Sequence, residues 1–444
     1  MDAVTRIGFG LFGLAVLIGI AWVFSNNKRN VDWKLVGTGV ALQIAFAAFV
    51  LMTTWGSTIF ESLGQVFVKL IEFTNEGSKM ILGGFADQDK YGFVFIFHAL
   101  PTVIFFASFM AILYHLGVMQ WVVRIMALAI TKVMRVSGAE TTSVCASVFI
   151  GQTEAPLTVR PYISRMTESE LLTMMIGGMA HIAGGVMAVY IGMLAGTDPE
   201  QQAIYAKHFL AASIMAAPAT LIIAKILIPE TGTPLTAGSV TVHVEKESKN
   251  IIDAAAAGAS DGMRLAINIA AMLLAFVALI AMVNHLIGWV GDWHIPGYQS
   301  MNMMLNDGAM GDAQTVKLNL GLILGYVLAP IAWVIGIEWN DAVIAGGLIG
   351  QKIVLNEFIA YLQLAQTPVG EGVGAISENS RLILTYALCG FANFASIAIQ
   401  IGGIGGLAPE RRGDLARFGL RAVLGGSIAT LMTATIAGVL IHLR

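Results

Sequence analysis

Three consecutive polar residues interrupt an apolar segment in Ser147-Val-Phe-Ile-Gly-Gln-Thr-Glu-Ala-Pro-Leu157. Glycine at 151 is costly inside a helix, and proline at 156 removes a backbone donor and clashes with the preceding turn. We therefore predict a helix, a break and a second helix, with Gln152, Thr153 and Glu154 at the break. The apolar arms of about ten residues are too short to cross a bilayer, so residues 140–165 are predicted to form a re-entrant hairpin.

A second break of the same kind is predicted in Val354-Leu-Asn-Glu-Phe-Ile-Ala360, inside a hairpin at 341–364. A carboxylate at membrane depth costs about 2.5 to 3.5 kcal/mol and is tolerated only inside protein or beside a wet cavity. Glu154 and Glu357 therefore mark a functional site. The alternative is that Arg160 and Lys352 neutralise them and that both carboxylates only brace the hairpins.

The composition is that of a membrane protein. Hydrophobic residues make up 57% and charged residues 12% of the chain, about half the charged share of a soluble domain. Apolar runs of roughly 18 to 28 residues recur, each long enough to cross a bilayer. Cys145 and Cys389 both lie in apolar stretches, so no disulfide framework is expected.

The predicted fold class is an all-α polytopic membrane protein with an inverted repeat, two re-entrant hairpins and interfacial helices. The pattern predicts about eight crossings, at 8–24, 35–55, 91–118, 170–195, 209–228, 263–290, 382–404 and 417–443. The first apolar run lacks a small-residue cleavage pattern and is predicted to be retained rather than removed as a signal peptide. Amphipathic helices are predicted at 57–73 and 120–136, and an apolar helix at 318–337.

The order of elements divides the chain into four parts. Residues 1–90 hold two spans and an interfacial helix, 91–228 form a first repeat, 229–262 a polar cytoplasmic loop, and 263–444 a second repeat. Inverted repeats with broken helices near the midplane are typical of secondary transporters. The basic residues fall mostly on one side of this topology, and the positive-inside rule then places both termini outside.

A third polar group occurs in Cys389-Gly-Phe-Ala-Asn-Phe-Ala-Ser396, where Asn393 and Ser396 are spaced to share a helix face. An amide, a hydroxyl and an aromatic ring beside a carboxylate suit a neutral solute that has a diol and a flat ring. A phosphorylated solute would require arginine or lysine, and the two breaks offer little of either. Phe391 and Phe394 are either packing residues or a platform for the ring.

The stretches Gly151-Gln-Thr-Glu-Ala-Pro-Leu157, Asn356-Glu-Phe-Ile-Ala-Tyr361, Cys389–Ser396 and Ala408-Pro-Glu-Arg-Arg-Gly-Asp414 resemble the signatures of the concentrative nucleoside transporters. The resemblance runs from about residue 7 to 443 and implies a homotrimer whose transport core moves against a trimerising scaffold. It implies nucleobase contacts from Gln152, Thr153 and Glu154, ribose contacts from Glu357, Asn393 and Ser396, and apolar walls from Val186, Ile267 and Phe391. The Gln152 amide can donate or accept, so the preferred base stays open.

The coupling ion is less determined. The family's sodium site uses an asparagine and a serine or threonine, and the corresponding positions here resemble Ser147 and His181. The carbonyls of Ile150 and Ile182 remain available to a cation, and sodium is slightly favoured. An unperturbed histidine titrates near physiological pH, so His181 is the candidate carrier of a coupling proton, unless it only packs within its span.

The sequence thus predicts a cation-coupled nucleoside symporter of the cell inner membrane. Its expected partners are a small-molecule nucleoside, the lipid bilayer and further copies of the chain, without nucleic acid or an organic cofactor. An intramembrane enzyme is disfavoured because the sequence has no His-Glu-x-x-His motif and its eight histidines are scattered along the chain. The remaining alternatives are a passive channel, a membrane scaffold protein, and a carrier of another neutral polar solute such as a free nucleobase.

Overall fold

The computed structural model describes residues 3–92, 94–238, 248–293, 299–305, 317–370, 372 and 374–443. The helices of the first half are α1 (Ala3–Val23), α2 (Trp33–Met52), α3 (Thr54–Leu82), α4 (Gln88–Tyr91), α5 (Phe95–His115), α6 (Val118–Met134), α7 (Gly138–Ser147), α8 (Arg160–Ile163), α9 (Glu168–Ala180), α10 (Gly184–Ala195) and α11 (Pro199–Leu227).

The second half contains α12 (Ile251–Gly291), α13 (Met301–Leu305), α14 (Leu320–Val334), α15 (Ala342–Val354), α16 (Glu357–Gln366), α17 (Glu378–Ala387), α18 (Phe394–Leu407) and α19 (Arg412–Leu443). Short 3-10 helices cover Lys28–Asn30, Gly83–Ala86, Ala155–Val159, Trp339–Asp341 and Pro409–Arg411. Each named secondary-structure element in the described ranges is a helix, which confirms the predicted all-α class.

Both predicted hairpins are broken helices. In hairpin 1, defined as residues 140–165, α7 ends at Ser147 and the chain resumes as the 3-10 helix at Ala155. In hairpin 2, defined as residues 341–364, α15 ends at Val354 and α16 begins at Glu357. Both interruptions therefore lie where the sequence predicted them, and in the structure Asn356 caps the second arm of hairpin 2.

Seven helical segments among the described residues are long and apolar enough to cross a membrane. They match seven of the predicted crossings. The remaining one, at 382–404, is divided between α17 and α18, each shorter than a bilayer-crossing helix. The number of crossings therefore stays a prediction.

Two segments predicted as continuous spans are interrupted. The helix at 170–195 stops at Ala180 and restarts at Gly184, and the segment at 382–404 is unwound from Leu388 to Asn393. The side chain of Asn393 caps α18 by accepting from the Ser396 backbone N–H at 2.9 Å. Asn393 is thus a helix cap, so the prediction that it shares a helix face with Ser396 was wrong.

The long helix α12 begins earlier than the sequence pattern indicated. Asn250 caps it through a 2.9 Å bond from the Asp253 backbone N–H, so the helix takes in the end of the segment expected to be a polar loop. Residues 239–247 of that loop, and most of the second one at 291–316, lie outside the described residues. The helix packs along α5, where glycines at 258 and 262 allow close approach. A Cβ at Gly258 would lie 2.6 Å from the Cβ of Ala111.

A buried charge cluster holds the base of hairpin 1 against the interior helices. The ammonium of Lys225 lies 2.8 Å from Glu140 and 3.2 Å from Glu230, and it donates to Ser169 at 3.0 Å. Lys225 is on α11, Glu140 on α7 and Ser169 on α9. The cluster therefore joins the first turns of α7 and α9 to the last turn of α11. The buried charges of Glu140 and Lys225 are paired with each other.

Candidate functional site

The tip of hairpin 1 is folded back on itself. The backbone N–H of Gly151 donates to Glu154 Oε2 at 2.6 Å. A Cβ at position 151 would lie 2.5 Å from the same oxygen, so any other residue there would force the Glu154 carboxylate to move. Glu154 is therefore exposed at the break, whereas the neighbouring Gln152 is buried inside the protein.

The break in hairpin 2 presents Glu357 to the interior. Asn356 caps α16 by accepting from the Ile359 backbone N–H at 3.0 Å, which places Glu357 in the first helical turn. The Glu357 carboxylate accepts from the Tyr190 hydroxyl at 2.8 Å and from Asn393 Nδ2 at 3.2 Å. A carboxylate at a helix N-terminus with two donors is a stabilised anion or a poised acceptor for a solute hydroxyl.

One hydrogen-bonded chain joins the two hairpins. From Glu357 it passes to Asn393, then to Ser396 through the helix cap. Ser396 Oγ then accepts from Gln152 Nε2 at 3.1 Å. All four residues are buried. The structure therefore brings together the amide of hairpin 1, the cap of α18 and the carboxylate of hairpin 2.

A cavity of about 560 Å³ borders the tip of hairpin 1 and the start of α10, within the range of small-molecule sites. Its lining does not include Gln152, Asn393, Ser396 or Glu357. Glu154, Val186 and Ile150 line it together with Leu265 of α12. Charged side chains at 160, 253 and 261 also contribute to the wall. Glu154 is thus the predicted carboxylate that faces open space, whereas Glu357 is enclosed.

Other predicted residues lie around this centre. Thr153 packs towards α18, since a Cβ at Gly403 would lie 2.7 Å from its methyl group. Phe391 is half-buried, and its backbone N–H donates to the His181 carbonyl at 3.3 Å. Ile267 is 54% exposed on α12 and is not among the residues that line the cavity. The wall role assigned to Ile267 remains a prediction, and Leu265 is the α12 residue that lines the cavity.

The proposed cation ligands lie at two helix breaks. Ser147 is the last residue of α7, and its hydroxyl donates to the Ser143 carbonyl at 3.0 Å. His181 is fully buried directly after α9, with Nδ1 2.6 Å from the Gly177 carbonyl. Ile182 is buried beside it. His181 thus lies in an unwound segment, rather than inside the continuous Gly-rich span expected from the sequence.

Two of the residues that complete this site were not predicted from the sequence. Tyr190 supplies a hydroxyl to Glu357, and its ring centroid lies 4.4 Å from that of Tyr361. Gln400 bonds to the Gln152 amide at 3.1 Å. A lone hydroxyl or amide in an otherwise apolar helix was the available sequence signal for both.

Lys352 was considered only as a counter-ion for Glu357. Its ammonium instead donates to the Ala387 carbonyl at 3.0 Å and to Thr430 Oγ1 at 2.8 Å. Ala387 is the last residue of α17, so the cation stabilises the carbonyl end of a broken helix. This position supports the site by holding the break next to Asn393 in place.

Three family models match the chain. They are described as "Na+ dependent nucleoside transporter C-terminus", matching residues 208–438, "Na+ dependent nucleoside transporter N-terminus", matching 12–85, and "Nucleoside recognition", matching 96–197. Together they include both hairpins and all the helix breaks.

Relatives match over nearly the whole chain. A nucleoside permease from Helicobacter pylori is 39% identical over 98% of this chain and 98% of its own length. Sodium/nucleoside cotransporter 1 from Rattus norvegicus is 37% identical over 96% of this chain and 63% of its own length. The solved structure of CNTnw in an inward-facing substrate-bound state is 40% identical, covers 99% of both chains and has a TM-score of 0.86.

Proposed function

Because this chain belongs to the concentrative nucleoside transporter family, we propose that it imports nucleosides across the cell inner membrane, coupled to a cation. The observation that carries the proposal is the chain of hydrogen bonds from Gln152 through Ser396 and Asn393 to Glu357. It provides buried carboxylate, amide and hydroxyl groups, and Glu154, in the same hairpin as Gln152, lines a cavity of suitable size. These groups complement the hydroxyls and ring N–H groups of a nucleoside, and the relatives are transporters rather than enzymes.

The two hairpins take different parts of the solute in this proposal. Gln152, Thr153 and Glu154 contact the nucleobase, and Glu357, Asn393 and Ser396 hold the ribose. Burial of Glu357 between two donors supports a ribose role, because a hydroxyl can replace one donor without leaving a charge unpaired. Val186 and Phe391 form apolar walls.

A single coupling cation is energetically sufficient. One positive charge moving down about 100 mV supplies roughly 2.3 kcal/mol, near 50-fold accumulation. We favour sodium, since the family model and the rat cotransporter both carry sodium in their descriptions. Ser147 Oγ and the carbonyls of Ile150 and Ile182 are the oxygen ligands in this proposal, and hard cations prefer such ligands.

Proton coupling is the second candidate, favoured by the location of His181. This imidazole lies at the α9 break beside the carbonyl of Gly177, where the proposed sodium site would need an oxygen. Uptake that persists without sodium and rises at acid pH would assign the coupling to a proton on His181. Sodium-dependent uptake that does not change with pH would exclude that assignment.

A homotrimer is proposed from the exposed surface of α12. Outside its contacts with α5, α13 and α14, this helix presents large apolar side chains outwards, including Leu274 at 78% exposure and Trp289 at 58%. Such a face is covered either by lipid or by another copy of the chain. Native mass spectrometry in mild detergent tests the proposal, and a purely monomeric protein would contradict it.

Both termini are proposed to lie outside. The native cysteines, Cys145 and Cys389, are buried and free, so a cysteine added at either end can be labelled selectively. A membrane-impermeant maleimide should label both ends in intact spheroplasts. Labelling that requires membrane permeabilisation would reverse the topology.

The decisive test is uptake of labelled nucleosides into proteoliposomes under separately imposed sodium and proton gradients. We expect the proteoliposomes to concentrate the labelled nucleoside. We also expect labelled uptake to be faster when unlabelled nucleoside has been preloaded on the far side of the membrane. Acceleration by counterflow distinguishes a carrier from a passive channel. Transport of free nucleobases without nucleosides would overturn the assigned substrate.

A further inference from the structure

Gln400 is a fully buried amide that the transport scheme does not yet use. It lies on α18, one turn after Ser396, in an otherwise apolar stretch. Its Nε2 donates to the Met175 carbonyl on α9 at 2.9 Å and to Gln152 Oε1 at 3.1 Å. Gln400 therefore connects the tip of hairpin 1 to two interior helices.

These contacts determine which end of each amide faces which partner. A backbone carbonyl only accepts hydrogen bonds, so the amide nitrogen of Gln400 must face Met175. That nitrogen also contacts Gln152, so the Gln152 atom facing it must be the oxygen. The Gln152 nitrogen then faces Ser396, as the 3.1 Å bond to Ser396 Oγ requires.

The surrounding backbone is shaped to hold both amides. A Cβ at Gly178 would lie 2.8 Å from Gln152 Cβ and 2.8 Å from Gln400 Nε2. Only glycine at 178 leaves room for the pair. The oxygen and nitrogen ends of an amide are nearly the same size, so the hydrogen bonds, rather than the packing, fix the direction of each amide.

We propose that Gln400 is a positioning residue that holds the Gln152 amide in one orientation and thereby selects the nucleobase. The inference rests on the proposed function, in which Gln152 contacts the base. With one N–H bonded to Ser396, Gln152 has a single N–H left for the solute, and its oxygen is already engaged by Gln400 through one of its two lone pairs. The site therefore favours a base edge that presents an oxo acceptor over one that presents an amino donor.

The test measures competition between matched nucleosides in proteoliposomes. Wild-type protein should prefer uridine over cytidine and inosine over adenosine. In Gln400→Met, a side chain of similar length removes both hydrogen bonds and frees the Gln152 amide to rotate. The oxo-to-amino preference should then fall about fivefold, the range expected for one directed hydrogen bond.

Gln43→Met is the matched control. Gln43 is also a fully buried amide. It lies on α2 and donates to Thr433 of α19 at 3.1 Å. We expect Gln43→Met to lower thermal stability by about as much as Gln400→Met does. It should leave the oxo-to-amino ratio of uptake unchanged. A structural effect alone would therefore not reproduce the result expected for Gln400→Met.

Gln152→Glu provides a second variant if Gln400→Met does not fold. It replaces the free N–H by an acceptor, so the preference should shift towards cytidine and adenosine. A wild-type preference for amino bases, or an unchanged ratio in a folded Gln400→Met, would overturn the inference while nucleoside transport stands. Absence of any nucleoside uptake by wild-type protein would instead overturn the proposed function, and the inference with it.

Discussion

The hydroxyl of Tyr190 donates a 2.8 Å hydrogen bond to the carboxylate of Glu357, connecting α10 to the first turn of α16. Both residues are buried. In Tyr190→Phe the ring is kept and only this donor is lost. We expect about a tenfold loss of apparent nucleoside affinity with a small change in thermal stability, since bonds to charged groups are among the stronger ones. The apparent affinity is measured by competition between labelled and unlabelled nucleoside in uptake assays.

The control for this prediction is Tyr326→Phe. Tyr326 is exposed on α14, so removal of its hydroxyl should leave affinity unchanged. An unaltered affinity in Tyr190→Phe would mean that Glu357 does not depend on this bond for its position.

Lys352→Met should abolish uptake. The substitution leaves the buried Ala387 carbonyl and Thr430 hydroxyl without their common donor, and the break before Asn393 loses its support. Thr430→Val removes one of the two partners and should reduce uptake less. Uptake at the wild-type rate in Lys352→Met would show that the broken end of α17 holds its position unaided.

Lys225→Met should lower the free energy of unfolding by about 3 to 5 kcal/mol, because Glu140 is left buried without its cation. Denaturation of the detergent-solubilised protein measures this loss. The control is Lys69→Met, which breaks an exposed ion pair with Glu72 and should change stability by about 0.5 kcal/mol or less. Equal effects in the two variants would contradict the structural role of the buried cluster.

Ser147→Ala tests the sodium assignment. Loss of one oxygen ligand should raise the sodium concentration for half-maximal uptake about tenfold. Ser143→Ala, one turn earlier on the same buried helix, should leave it unchanged. If both variants respond to sodium as wild-type protein does, while His181→Ala loses its response to acid, the coupling ion is the proton.

The hairpin breaks were predictable because their causes are local. Gly151 and Pro156 interrupt hairpin 1, and Asn356 caps the second arm of hairpin 2. The interruption at 388–393 had an equally local cause in the cap formed by Asn393. It was missed because the apolar residues around it allow a continuous span by hydropathy alone.

Partners across the fold could not be predicted in this way. Tyr190 and Glu357 are 167 positions apart, and Gln400 and Gln152 are 248 apart. Their pairing depends on how α10, α16 and α18 pack, which no single segment encodes. The same limit explains why Leu265 rather than Ile267 lines the cavity, since periodicity does not say which face of a uniformly apolar helix turns inwards.

The continuous path of hydrogen bonds from Gln152 to Glu357 has a genetic consequence. A substitution of Gln152 in hairpin 1 and a substitution of Glu357 in hairpin 2 disrupt the same set of hydrogen bonds. Loss-of-function alleles at the two positions should therefore give indistinguishable phenotypes. Second-site suppressors of a weak allele at Gln152 should arise in the opposite half of the gene, at codons for Asn393, Ser396 or their neighbours on α18.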